Sequence, residues 1–128
     1  MICFLLQYLL IISPAIPSSF GHNHVVGDSI WSIPPSTDFY LIWSRNRSFT
    51  AGDSLVFRFD TGLSNVVQVS RREYESCSAQ NPFRSFEVGP AIVSLMEEGV
   101  YYFTCTFGNY CFLGQKLSVA VAGNSPAA

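Results

Sequence analysis

Charge is scarce in this chain of 128 residues: Asp, Glu, Lys and Arg together make up 12%, and the net charge is −2. That balance excludes a basic face for nucleic acid, whose phosphates call for clustered Lys and Arg. The nearest thing to such a cluster, Arg45, Arg47, Arg71 and Arg72, reads as two solvated pairs. Disorder is excluded from the other side, because 48% of the residues are hydrophobic and a disordered chain has the opposite balance. Histidine is scarcer still: the chain has two, His22 and His24, and none follows. The body of the domain therefore lacks the side chain most often used for acid–base work. Also missing are a phosphate-binding glycine loop, a nucleophile elbow and metal-ligand spacing. Glu97 and Glu98 adjoin in a turn and read as a solvated hairpin, so no enzyme activity is expected.

What is present begins with an apolar stretch over residues 2–12, broken by Gln7. It has the length of a signal-peptide core and is too short to span a membrane. Ser13, Pro14, Pro17, Ser18 and Ser19 follow, and Ser19 with Gly21 sits at −3 and −1 to a cut before His22. Residues 1–21 are expected to be a signal peptide, without its usual positive start. Residues 22–122 are the expected domain, and 123–128 a short loose tail with no lipid-anchor signal. A cut before His22 exposes His22-Asn23-His24, where a free amine with histidine at position three can take Cu(II). The plainer reading is a pair of polar residues on a frayed terminus.

Cys3 leaves with the signal, and Cys77, Cys105 and Cys111 remain. In an oxidising compartment two of them pair and one is left over. Spacing leaves the choice open. Asn46-Arg47-Ser48 is a glycosylation sequon suited to a secreted surface loop.

Leu55, Phe57 and Phe59 alternate with Ser54, Arg58 and Asp60, and Val67 with Val69 makes a shorter alternation. Residues 92–95 form a brief apolar run, residues 100–106 another strand, and Leu117, Val119 and Val121 a last one. Short strands between turns predict an all-β antiparallel sandwich or barrel. One short helix is expected, over residues 71–76.

Taken together, several blocks resemble the plant phytocyanin family. They are Val26-Gly27-Asp28-Ser29 with Trp31; Tyr40 and Trp43; Phe49-Thr50-Ala51-Gly52-Asp53-Ser54-Leu55-Val56-Phe57; and Asn65-Val66-Val67-Gln68-Val69. Tyr74-Glu75-Ser76-Cys77, residues 99–105 and residues 111–117 complete the series. The order matches over nearly the whole domain. Ile30 is one departure, standing where the family usually has Gly.

The resemblance implies a cupredoxin-like, two-sheet Greek-key β-sandwich with copper held by loops at one end. It pairs Cys77 with Cys111 and leaves Cys105 as the former copper ligand. The family's site uses two imidazoles, a thiolate and a weak axial ligand. Those positions carry over to Ser64 and Tyr110 for the histidines, Cys105 for the thiolate and Gln115 for the axial ligand. Both imidazoles are absent, so no copper and no other cofactor is expected. The pattern is most similar to the copper-free early-nodulin-like or uclacyanin-type members, although a retained Cys105 is atypical of the former branch.

The function implied is a secreted glycoprotein with a degenerate copper site and a binding or structural role at the cell wall or surface. By family analogy it is associated with the plasma membrane. Its partner is unidentified, with carbohydrate and a cell-surface protein as the candidates. Two other roles stand beside this one: copper-based electron transfer with an unusual ligand set, and thiol redox or Cu(I) handling through Cys105. Cys105 itself reads either as a buried core thiol or as a reactive one. The loop Phe107, Tyr110, Phe112 and Leu113 reads either as an exposed apolar binding surface or as a plug, with Tyr110 filling the space of the metal.

Overall fold

The computed structural model describes residues 21–123. The expected signal peptide, apart from Gly21, and the tail beyond Gly123 lie outside the described residues. Eight strands and two short helices follow one another: β1 (Asn23–Ile30), α1 (Phe39–Arg45), β2 (Phe49–Thr50), β3 (Asp53–Arg58), β4 (Val66–Val69), α2 (Arg71–Ser76), β5 (Arg84–Phe86), β6 (Ala91–Leu95), β7 (Gly99–Thr104) and β8 (Lys116–Ala122).

The period-two pattern places the core. Leu55 and Phe57 of β3, Val93 and Leu95 of β6, Phe103 of β7 and Leu117 and Val119 of β8 all turn inward and are buried. They come from two sheets, β1-β3-β6 and β2-β8-β7-β4-β5. The ring of Phe57 bridges the sheets, edge-on to Trp31 with centroids 5.0 Å apart and tilted against Phe103 at 5.3 Å.

The sheets are mixed, where an antiparallel arrangement was expected. β1 runs parallel to β3 and β2 parallel to β8, and the other pairs are antiparallel. Side-chain alternation fixes the buried face of a strand and carries no information on pairing direction. Parallel neighbours need a long crossover, and between β1 and β3 that crossover holds a second helix. The expectation of a single helix is corrected here. In α1 the buried residues are Tyr40, Trp43 and Ser44, spaced i, i+3, i+4 on one face. Tyr40 hydroxyl accepts from the Ser32 amide at 3.1 Å and donates to Ser32 carbonyl at 3.1 Å, tying α1 to the end of β1. α2 falls on the expected residues. Its N-cap Ser70 accepts from the Glu73 amide at 3.2 Å, a side-chain cap of the kind that Ser-x-x-Glu announces.

The arginines separate. Arg47 pairs with Asp28 and lies over the Trp43 ring, while Arg71 pairs with Glu75 on α2 at 3.0 Å. Nor does the start of the domain fray. His24 is buried, and its Nε2 lies 2.8 Å from Asp53 Oδ2. Asp53 also accepts from the Thr50 and His22 amides at 3.0 and 2.9 Å. Burial pushes the Asp53 carboxyl up, but the bonds from Thr50, His24 and His22 outweigh it and hold its pKa below the ordinary value. A depressed carboxyl stabilises the fold above its unfolded pKa, and that contribution is lost as pH falls through the folded one. The gap in melting temperature between the native chain and Asp53→Asn is therefore widest near neutral pH. It narrows below about pH 4, the ordinary carboxyl range. A gap independent of pH in thermal melts would show that shape, not charge, matters at this position.

Candidate functional site: the loop pole

Three strands deliver the loop pole. Ser64 precedes β4, Cys105 follows β7, Gln115 precedes β8, and Tyr110 lies in the turns between the last two. The β7–β8 loop folds on itself through backbone bonds. Tyr110 N donates to Phe107 O at 3.0 Å, Leu113 N to Asn109 O at 3.1 Å, and Gly114 N to Cys111 O at 2.9 Å. Gly114 has φ +109, and a Cβ there would lie 2.8 Å from the Thr37 backbone, so the loop closes against the segment before α1 only with glycine.

Hydrogen bonds bring the four sequence-assigned positions together. Gln115 N donates to Tyr110 O at 3.0 Å, and Cys105 N donates to Gln115 O at 3.1 Å. Between the two loops, Gln115 Nε2 donates to Ser64 Oγ at 3.0 Å, a bond between residues 51 apart in sequence. Ser64, Cys105 and Gln115 are buried. Tyr110 is half-buried against the core, with its ring 6.3 Å from Phe107. Gln115 is 0% exposed, and its Oε1 has no partner. Either orientation of the amide gives Ser64 one atom and leaves the other unmatched, at a cost of about 1–3 kcal/mol.

Asn65 is the residue that sequence reasoning passed over as one of a matching block. Its carbonyl accepts from Trp31 Nε1 at 2.9 Å. Its side chain accepts from Thr106 N at 2.9 Å and donates to Thr106 Oγ1 at 2.7 Å and Glu87 Oε1 at 3.1 Å. One buried amide thus registers the Ser64 turn against the residue after Cys105. The polar position between Ser64 and two valines was the signal available in sequence.

Cys77 and Cys111 are bridged, with Cα atoms 5.7 Å apart, which agrees with the pairing the resemblance implied. The bridge ties the end of α2 to the loop. Cys105 is a free thiol, 1% exposed and part of the core cluster. Asn46 stands exposed at the C-terminal end of α1. Outside the buried centre the pole exposes several apolar side chains. Leu63, Phe112, Leu113 and Ile33 are exposed, and a groove of about 390 Å³ runs between Trp31, Ile33, Phe59, Leu63, Ser64 and Tyr110. Tyr110 thus lines the groove from inside while Phe112 and Leu113 face solvent.

This donor set does not fit a blue-copper centre. Of the four positions that the resemblance assigns, two carry a thiol and an amide, and the two assigned to imidazoles carry a hydroxyl and a phenol. His24 is committed to Asp53 within β1, and it and its neighbour Asn23 pair with Leu55 and Ser54 of β3. An amino-terminal Cu(II) site would require that strand to peel away. Among the described residues no group of three or more His, Cys, Asp and Glu is placed to hold a metal ion.

Residues 31–115 match the plastocyanin-like domain family. Cucumber peeling cupredoxin from Cucumis sativus is 40% identical over 106 residues, 80% of this chain and 77% of that protein. Early nodulin-like protein 14 from Arabidopsis thaliana is 36% identical over 92 residues, 71% of this chain and 50% of that protein. The chain spans about half the length of that relative and 53% of the Arabidopsis thaliana blue copper protein. Cucumber stellacyanin, solved with Cu2+ at pH 7.0, superposes with a TM-score of 0.75 at 35% identity, over 83% of this chain and 99% of that one. Two facing sheets with their loops gathered at one pole, superposing in this way, define a cupredoxin β-sandwich. Within that class the chain belongs to the phytocyanin family.

Proposed function

We propose that this chain is a secreted phytocyanin-type glycoprotein that acts by binding at the cell surface or wall, without copper and without catalysis. The observation that carries the reading is the bond between Ser64 and Gln115. It joins, through a hydroxyl and an amide, two of the positions that the resemblance assigns to copper ligands, and His24 is held in β1 by Asp53. The apolar rim of Ile33, Leu63, Phe112 and Leu113 supports a contact role, because exposed apolar patches of this kind mark interaction surfaces. A carbohydrate ring face or a cell-surface protein suits such a rim. Secretion is supported by the apolar leader, by a disulfide, which persists in oxidising compartments, and by the exposed sequon at Asn46. Among the described residues no helix is long and apolar enough to cross a membrane.

A copper titration of the purified protein, followed by visible absorption, tests the reading. No intense thiolate-to-copper band is expected, in the native chain or in Cys105→Ser. A strong band present in the native chain and absent from Cys105→Ser would sink it and restore electron transfer. The burial of Cys105 also opposes a thiol-redox role, since exchange needs an accessible thiolate.

A further inference from the structure

Asp53 is 2% exposed and takes no part in the loop pole. A buried carboxylate has to be matched by donors. Its Oδ2 has two, the Thr50 amide and His24 Nε2, and its Oδ1 has one, the backbone nitrogen of His22 at 2.9 Å. That nitrogen opens the anchored part of the chain. His22 O accepts from Ser54 N at 2.9 Å, and the β1–β3 register begins at Asn23 and Ser54. It is also the nitrogen that a cut after Gly21 sets free.

We propose that leader removal between Gly21 and His22 leaves an α-ammonium on His22 that docks on Asp53 Oδ1, making Asp53 the receptor for the processed N-terminus. The inference rests on the secreted reading above. Water is the co-reactant: the Gly21–His22 peptide bond breaks, Gly21 keeps the oxygen as a carboxylate, and the His22 nitrogen gains hydrogens and becomes a cation. The nitrogen stays where it is, but a neutral donor to the carboxylate becomes a cation, which adds a Coulombic attraction at a site shielded from water. Gly21 gives independent support. A Cβ at that position would clash with Asp53 Oδ1 and lie 2.5 Å from the Gly52 and Asp53 backbone. The uncut chain therefore crosses the carboxylate with room for glycine alone. The small residues Ser19 and Gly21, at −3 and −1 to the same bond, suit a processing enzyme.

Two measurements test the proposal. The first is N-terminal sequencing of the secreted protein, expected to start at His22. The second compares thermal unfolding of the 22–128 chain with a free and with an acetylated α-amine, which differ in charge but keep the same N–H. The free form is expected to melt higher by about 5 °C, and the gap is expected to close in Asp53→Asn. If Asp53→Asn does not fold, the acetyl comparison stands alone. A secreted chain that starts elsewhere overturns the cut site, and equal melting of the two forms overturns the docking. A chain retained inside the cell with its leader attached counts against secretion, and the melting comparison still judges Asp53.

Discussion

Replacing Cys77 and Cys111 together by serine is expected to lower stability by about 4 kcal/mol and the melting temperature by roughly 20 °C. The bridge joins residues 34 apart, and reopening a loop of that length returns its closure entropy to the unfolded chain. The folded side contributes as well, because Cys111 is buried and sits in the turns that carry Tyr110. Other links survive the change. Lys116 Nζ still donates to Tyr74 O at 3.0 Å, and Asn65 still holds Thr106. The variant is therefore expected to keep its sheets and lose cooperativity at the loop pole first. Urea and thermal unfolding with and without reductant check this. A loss under about 1 kcal/mol would mean that α2 and the loop are already held together in the unfolded ensemble, against the entropic account. A single Cys77→Ser is the worse variant, since it leaves Cys111 and Cys105 as two free thiols on one loop.

The same bridge shows how far the sequence could be read. Three cysteines left the pairing open, and the choice of Cys77 with Cys111 came from resemblance. The strands were legible because Leu55 and Phe57, or Leu117 and Val119, alternate against polar neighbours, and one buried face enforces that pattern. α1 was not legible. Its sequence, Phe39-Tyr40-Leu41-Ile42-Trp43, is rich in aromatic and β-branched residues that favour strands locally. Tertiary packing of Tyr40 and Trp43 decided otherwise. The parallel pairings were hidden too, because they depend on crossovers and not on side chains. At the loop pole the four positions that the resemblance assigns to copper ligands could be named from sequence, and hydrogen bonds join them. What could not be seen was that Ser64 and Gln115 bond to each other, since they lie 51 apart in sequence. The role of Asn65 was equally hidden, because a bond across 41 residues to Thr106 leaves no local trace. The order of residues 22–24 was misjudged for a related reason: Asp53, which anchors them, lies about 30 residues away.

The double substitution Ser64→His and Tyr110→His is expected to convert a chain with no copper band into one with an intense thiolate-to-copper band. Only the imidazoles are missing from the ligand types of a blue site. Cys105 is free and its backbone is bonded to Gln115, and the side-chain amide of Gln115 already has one unmatched atom. Ser64 and Tyr110 line one groove of about 390 Å³, so an imidazole at 64 has space to occupy, and exchanging the phenol at 110 removes bulk. The substitution also costs something, because the Ser64–Gln115 bond is lost and a buried amide is left with neither partner. Melting temperature is thus expected to fall in the metal-free variant and to rise again when Cu(II) is added, since a ligand that binds the folded state stabilises it. Each single substitution supplies one imidazole and is expected to give no intense band. Adding Cys105→Ser to the double variant is expected to abolish it. If the folded double variant stays colourless with copper in excess, the thiol of Cys105 is turned into the core and away from the pole. The centre would then have lost its geometry along with its histidines, and the copper-free state would be built into the packing of Phe103, Cys105 and Leu117 rather than into two substitutions.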